Sequence, residues 1–443
     1  MNTAIGIVLV LGVIILVHEW GHFIMARIFG VRVDVFSIGF GPRLFGVKRG
    51  ATDWRLSAVP LGGYVRMAGQ DITDVDSGDQ APTGAPDELM SKKRWQRALI
   101  SFAGPAINLI FPVLLLGFFY LIVGVPYAAF ERKPVVVNEF SAPQVALPNG
   151  LQTGDKLVSL NGVKSPTWED TGRIMAHAAP GTPFRAEVES GGVTRYVQIV
   201  SSEDPRAHSF GYLPIRPVIS EVGSGTPASH AGLQDGDVVR SIDGQKVDYW
   251  DQFVDVVRNS RGKPLQLVIG RKGQDVNLAV TPKQGIADSA ETNYQIGVTP
   301  YFETAYDRVG FVTGFKASLN KTRDYITDTL GIVGKLFSGR VSVKQLQSVV
   351  GISHVAGQAV SQGPVAVISL MALISVNLGI LNLLPIPILD GGHILLLSLE
   401  GIRRRDFSLT FKERFIQVGL VFLLVLFVYV MYNDVVRLLP SHS

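Results

Sequence analysis

His18-Glu19-Trp20-Gly21-His22 places two imidazoles and a carboxylate inside a run that otherwise reads as a membrane span. No residue from Thr3 to Val17 is charged, and apolar side chains continue around the motif through Phe23, Ile24, Met25 and Ala26. A bilayer takes about 20 such residues to cross. Residues four apart share one helix face, so His18 and His22 offer ring nitrogens to one metal while Glu19 points toward the remaining coordination position. The spacing H-E-x-x-H is that of zinc-dependent hydrolysis. Ionisable groups within a span are costly and normally face a polar interior where they act, so the position of the motif argues the same way.

The whole chain of 443 residues is long enough for several domains, and its mean hydropathy of +0.27 requires membrane spans to supply part of it. With no cysteine, neither disulfides nor thiolate ligands are available, and any metal must be held by His, Asp or Glu. The net charge of +4 comes from basic clusters beside apolar segments, the pattern of topology determinants. A nucleic-acid partner is not expected, since no basic face separate from these segments is present. The amino-terminal run lacks a basic leader region and a small-residue cleavage site before His18, so it is expected to be a retained helix.

The hydropathy pattern along the rest of the chain predicts a polytopic α-helical membrane protein with spans at 1–29, 98–125, 364–390 and 413–434. Lys92-Lys93-Arg94-Trp95-Gln96-Arg97 opens the second span and Arg403-Arg404-Arg405 follows the third, which puts those ends in the cytoplasm and both termini outside. The first and third spans then both run inward, and His18, His22 and Asp390 reach a similar depth toward the cytoplasmic side. Asn108 in the second span suits either helix packing or the site. Segment 30–97 is too polar to cross. Its two stretches Val33–Pro42 and Trp54–Val65 have strand character broken by glycine and proline, which fits either a surface hairpin or an open edge for an extended peptide. Residues 69–90 are expected to be a mobile loop.

Between the second and third spans, Gly150-Leu151-Gln152-Thr153-Gly154-Asp155 recurs as Gly232-Leu233-Gln234-Asp235-Gly236-Asp237, and Trp168 and Trp250 follow at the same interval. Two copies of one α/β module are therefore predicted, over 126–215 and 216–300. They resemble PDZ domains of the bacterial type, which add a peptide as a strand and often hold its terminal carboxylate on backbone amides. Gly211-Tyr212-Leu213-Pro214-Ile215 stands where that carboxylate loop would be in the second module, but Pro214 lacks an N–H. A steric or docking role is therefore expected for the pair. Phe311, Phe315, Leu319, Ile326, Leu330, Val333 and Phe337 recur at helical spacing in segment 301–350, predicting an amphipathic connector against the membrane or the modules, or a packed one.

With H-E-x-x-H in the first span, Asn382-Leu383-Leu384-Pro385-Ile386-Pro387-Ile388-Leu389-Asp390-Gly391-Gly392 near the end of the third, and two PDZ-like modules between, the chain resembles the site-2 proteases, zinc intramembrane proteases. The resemblance covers essentially the whole chain. It implies that His18, His22 and Asp390 hold one Zn2+, that Glu19 is the catalytic base, and that Asn382 acts near the scissile bond. It also implies that Gly39, Phe40, Gly41, Leu61, Gly62, Gly63 and Tyr64 belong to a membrane-reentrant β region that binds substrate. The implied substrates are single-pass membrane proteins, an anti-sigma factor with its outer domain already trimmed and leftover signal peptides. The implied location is the bacterial inner membrane, with periplasmic modules contacting or excluding substrate. Val350-Gly351-Ile352-Ser353 is taken as the turn before the third span, where it departs from the family's usual Ser-Gly-Pro-Ile-Ser run. Two readings compete: a non-catalytic, membrane-anchored PDZ adaptor with a structural metal, and a metal-ion transporter. The second would need ligands along a path, whereas the spans offer one three-ligand cluster.

Overall fold

The computed structural model describes residues 2–70, 83–138, 150–176, 178–179, 182–200, 210–223, 225–284, 293–338 and 349–438. Most of the expected loop at 69–90 therefore lies outside the described residues. Ten helices are described: α1 (Asn2–Ile28), α2 (Arg94–Ile122), α3 (Trp168–Ala176), α4 (Pro227–His230), α5 (Trp250–Asn259), α6 (Phe311–Phe337), α7 (Val349–Gln362), α8 (Pro364–Asn382), α9 (Asp390–Arg403) and α10 (Leu409–Leu438). The chain divides into two compact units, Met1–Val125 with Arg308–Val436, and Pro126–Asp307.

In the first unit four helices are long and apolar enough to cross a membrane, at Val8–Ile28, Arg94–Ile122, Pro364–Asn382 and Thr410–Tyr432. The unit is that of a multi-pass membrane protein. α2 is its hub, packing against α1, α6, α8 and α9. The fourth span is far less buried than the second, so most of the α10 surface is left for lipid.

The third span is shorter than expected. The helix stops at Asn382, and Asp390 instead begins a separate helix, α9. Pro385 and Pro387 explain the break: each lacks an N–H and pushes its predecessor out of the helical region. Ile388 adds a positive φ of 80°. The turn before this span also differs. Val350-Gly351-Ile352-Ser353 lies within α7, and the chain reverses at Gly363, with φ 106°, before Pro364 opens α8. Proline suits a first helical position because no partner for its N–H is needed there.

The connector packs the other way round from a soluble amphipathic helix. Ser318 and Thr322 of α6 are buried, and Thr329 Oγ1 lies 2.7 Å from Asn377 Oδ1 of α8. Phe311, Phe315, Leu319 and Leu330 face outward. Small hydroxylated residues toward the bundle and large apolar ones away from it is the arrangement a lipid environment favours.

Two long strands, β1 (Val33–Arg49) and β2 (Thr52–Met67), form the sheet of this unit. Each bends and pairs twice. Residues 35–38 bond to 53–56 on one side and to 63–66 on the other, while 43–49 bond back to 52–57. Gly39 and Gly41 have φ near +90° at the bend of β1. Among the described residues, the run Gly63–Met67 is paired on one side only.

The second unit contains the repeat. Its first copy has strands Lys156–Leu160, Val163–Lys164, Pro183–Ser190 and Val193–Val200, and its second has Val238–Ile242, Gln245–Lys246, Leu265–Arg271 and Gln274–Val280. In both, the first of these strands lies between the second and third, and the fourth is at the edge. Trp168 and Trp250 are buried at the starts of α3 and α5. Phe130 and Leu213 pack against both cores.

The G-L-x-x-G-D turns explain their own recurrence. Gly154 and Gly236 take φ of 93° and 86°, a region in which other residues are strained. Asp155 and Asp237 accept the Gln152 and Gln234 backbone N–H groups at 2.8 Å, and pair with Arg195 and Arg271. In the segment expected to hold a carboxylate, the Leu213 N–H is already bonded to Asp251 at 3.1 Å. With Pro214 lacking an N–H, two consecutive amides there are not available to a terminal carboxylate.

Candidate metal centre

The α1 helix puts His18 and His22 one turn apart on the face that meets α2, and both are buried. The third group comes from the far end of the chain. Asp390 stands in the first turn of α9, where the helix N-terminus favours an anion. Its Oδ2 is 3.2 Å from His18 Nε2, its Oδ1 is 3.4 Å from His22 Nε2, and the two Nε2 atoms are 3.2 Å apart. All three ligand atoms lie within 4.8 Å of one another.

Close approach of α2 shapes the back of the site. A Cβ at Gly104 would strike the rings of His22 and His18, so only glycine lets the helix pass there. The far edges of both rings are held. His22 Nδ1 lies 2.8 Å from the Ile100 carbonyl oxygen. That oxygen only accepts, so Nδ1 carries the proton and the Nε2 lone pair points into the cluster. His18 Nδ1 lies 3.2 Å from the Asn108 side-chain amide. Two imidazoles with ring partners behind them and one carboxylate in front form a donor set that suits zinc.

The cluster opens into a cavity of about 510 Å³ that also includes Glu19, Phe40, Gly62, Gly63, Asn382 and His393 in its walls. Glu19 is half-buried, and its Cγ is 3.6 Å from the point where a side chain on Gly63 would begin. Asn382 ends α8 with its Nδ2 3.4 Å from His18 Nε2. A carboxylate, a carboxamide and one edge of a β-sheet thus surround the converging donors.

The structure divides the expected substrate residues. Phe40, Gly62 and Gly63 line the cavity. Tyr64 stacks on Phe40, with ring centroids 6.1 Å apart, and lies below Arg55. Gly39 and Gly41 are at the β1 bend outside the cavity walls, and Leu61 lies in β2 with its side chain outside the described set. His393 is in the wall one turn after Asp390 but is not among the converging donors.

Val65, Met67, Gln70, Arg97 and Lys412 also line the cavity, and the sequence marks none of them as a site residue. Val65 and Met67 follow from strand alternation once Gly63 is known to face the cavity. Lys412 had a weaker signal, a charge just before the fourth span. It is buried and pairs with the buried Glu400 at 3.3 Å.

Residues 6–426 match the model of peptidase family M50. The chain is 33% identical over 453 residues to the regulator of sigma-E protease RseP of Salmonella typhimurium, covering 97% of this chain and 98% of that one. It is 32% identical to the Escherichia coli protein of the same name, with the same coverage. A Neisseria meningitidis protein named as a zinc metalloprotease is 31% identical over 99% of this chain and 100% of its own length.

Proposed function

The chain belongs to peptidase family M50 and is a zinc metalloprotease; from that premise we propose that it cuts single-pass membrane proteins within their spans, using His18, His22 and Asp390 as the zinc ligands. The observation that carries this reading is the convergence of two Nε2 atoms and one carboxylate from opposite ends of the chain, beside a glutamate and an open strand edge.

Bound there, zinc supplies Lewis acidity toward water and the scissile carbonyl. Glu19 takes the proton of the attacking water and delivers it to the leaving amine nitrogen. The Asn382 amide, within reach of His18, donates to the oxygen on which negative charge develops. A helical substrate hides its carbonyls in its own hydrogen bonds. The one-sided run Gly63–Met67 offers N–H and C=O groups to an unwound segment, which it holds as an added strand across from Glu19. Gly62 and Gly63 leave room for that backbone; Phe40 and Tyr64 wall its side. In this reading the strands form a membrane-reentrant β region, and Gly39, Gly41 and Leu61 shape the bend behind it.

The two repeat modules are PDZ domains on the periplasmic side of the bacterial inner membrane, with both termini on that side and the active site toward the cytoplasm. The amides already occupied around Leu213 favour contact or steric exclusion of bulky outer domains over capture of a free carboxyl end. By likeness to RseP, the substrates are a trimmed anti-sigma factor and signal-peptide remnants, and cleavage starts an envelope stress response. Cleavage of a tagged single-pass substrate by the wild-type protein and Glu19→Gln, both with zinc content measured, tests the reading. Loss of about 10²–10⁴-fold in rate with zinc retained is expected. Equal rates would remove Glu19 from the mechanism, and zinc-loaded but inert wild type on trimmed substrates would favour the adaptor.

A further inference from the structure

Asn108 has no part in the chemistry above, yet it is completely buried and its side chain meets a candidate ligand. Its own backbone is held in an unusual way. The carbonyl of residue 108 would ordinarily accept from the N–H of residue 112, one helical turn on. Residue 112 is proline, so that bond is absent. The freed carbonyl instead accepts from Ser375 Oγ of α8 at 2.8 Å, and Ser375 is also fully buried. A proline and a serine on different helices thus fix the turn that carries Asn108.

The side chain poses a choice. Either atom of the amide can face His18 Nδ1: nitrogen would donate to it, and oxygen would accept from it. The amide oxygen has no hydrogen-bond partner among the described residues when nitrogen faces the ring. Turning the amide over leaves nitrogen in that place instead, so the count of bonds does not decide. The histidine does. If Nδ1 accepts, the ring's proton sits on Nε2, the atom aimed at Asp390 and His22, and no lone pair is left there for a cation. If Nδ1 donates to the amide oxygen, Nε2 is free to coordinate, as it is in His22.

We propose that Asn108 is a positioning residue for the metal centre, presenting its amide oxygen to His18 Nδ1–H and so holding the Nε2 lone pair on the zinc position, with Pro112 and Ser375 fixing its turn. This rests on the ligand assignment above. The test compares full-length wild type, Asn108→Leu and Asn108→Asp for zinc retention against a competing chelator, with unfolding of each zinc-free protein as the control for folding.

Asn108→Leu keeps the branching at Cγ but has no acceptor, and is expected to lose zinc about 10–100-fold more readily. As a carboxylate the Asn108→Asp side chain only accepts, and this variant should retain zinc within a few-fold of wild type. If Asp loses as much zinc as Leu while the zinc-free proteins unfold alike, or if Leu retains zinc like wild type, the proposal is overturned. Nitrogen-15 histidine spectra of zinc-loaded wild type give a readout that does not depend on any variant folding. Two rings coordinated through Nε2, both with protonated Nδ1, are expected; a coordinated ring whose other nitrogen bears no proton overturns the proposal. Wild type that binds no zinc at all would overturn the ligand assignment itself, a different result from either.

Discussion

Asp237 and Asp390 are both acidic side chains withdrawn from water, and the protein treats them in opposite ways. Asp237, with 1% of its side chain exposed, receives Arg271 Nε at 2.8 Å and Nη2 at 2.7 Å, together with the Gln234 N–H. Hydrogen bonding to Asp237 raises the pKa of the Arg271 guanidinium. Its charge is neutralised by the protein's own groups, and nothing else is needed. Asp390 has two histidine nitrogens in front of it. Three electron-pair donors aimed at one point call for a cation between them. A carboxylate with a matched arginine is complete in itself; one facing imidazoles asks for a cation.

The largest effect should come from changing the unmatched carboxylate. Asp390→Asn removes the charge and one donor atom, and is expected to strip zinc and lower cleavage by at least about 10³-fold, with the repeat unit still folded. Zinc content and cleavage rate measured together check this. If that variant keeps both its zinc and its rate, the contrast between the two aspartates is wrong.

A smaller effect is expected from the matched one. Asp237→Asn leaves Arg271 without its fork partner and should cost roughly 1–3 kcal/mol of stability, seen as a lower melting point for the repeat unit with zinc content unchanged. The first copy of the repeat sharpens the comparison. There Asp155 Oδ1 and Arg195 Nε lack hydrogen-bond partners among the described residues, so less is lost when that pair is broken. Asp155→Asn should therefore destabilise the protein less than Asp237→Asn; thermal unfolding of the two variants side by side checks this, and an equal or larger loss for Asp155→Asn would mean that the bidentate geometry does not matter.

The difference between these regions also governs what could be read from sequence. His18 and His22 are legible because helical spacing alone puts them on one face, and the G-L-x-x-G-D repeat because its glycines and aspartates serve a local turn. Asp390 was reachable through its motif, but not the helix break before it: an apolar run from Pro364 to Leu389 reads as one span, and only the structure shows Pro385 and Pro387 ending it at Asn382. Helix α7 and the inverted packing of α6 left no clear trace, since in a membrane an apolar face no longer says which side meets the protein. Asn108 was ambiguous for a related reason. Its partner lies on α1, 90 positions away in the chain, and a lone asparagine in a span carries no sign of what it will touch.

Zinc-edge X-ray absorption on the purified full-length protein reads the proposed shell of two imidazoles and one carboxylate. A light-atom shell with two imidazole ligands and the remainder oxygen is expected, reduced to one imidazole in His18→Ala if any metal stays. Three imidazoles, which would bring His393 or another histidine into the shell, or none, would contradict it.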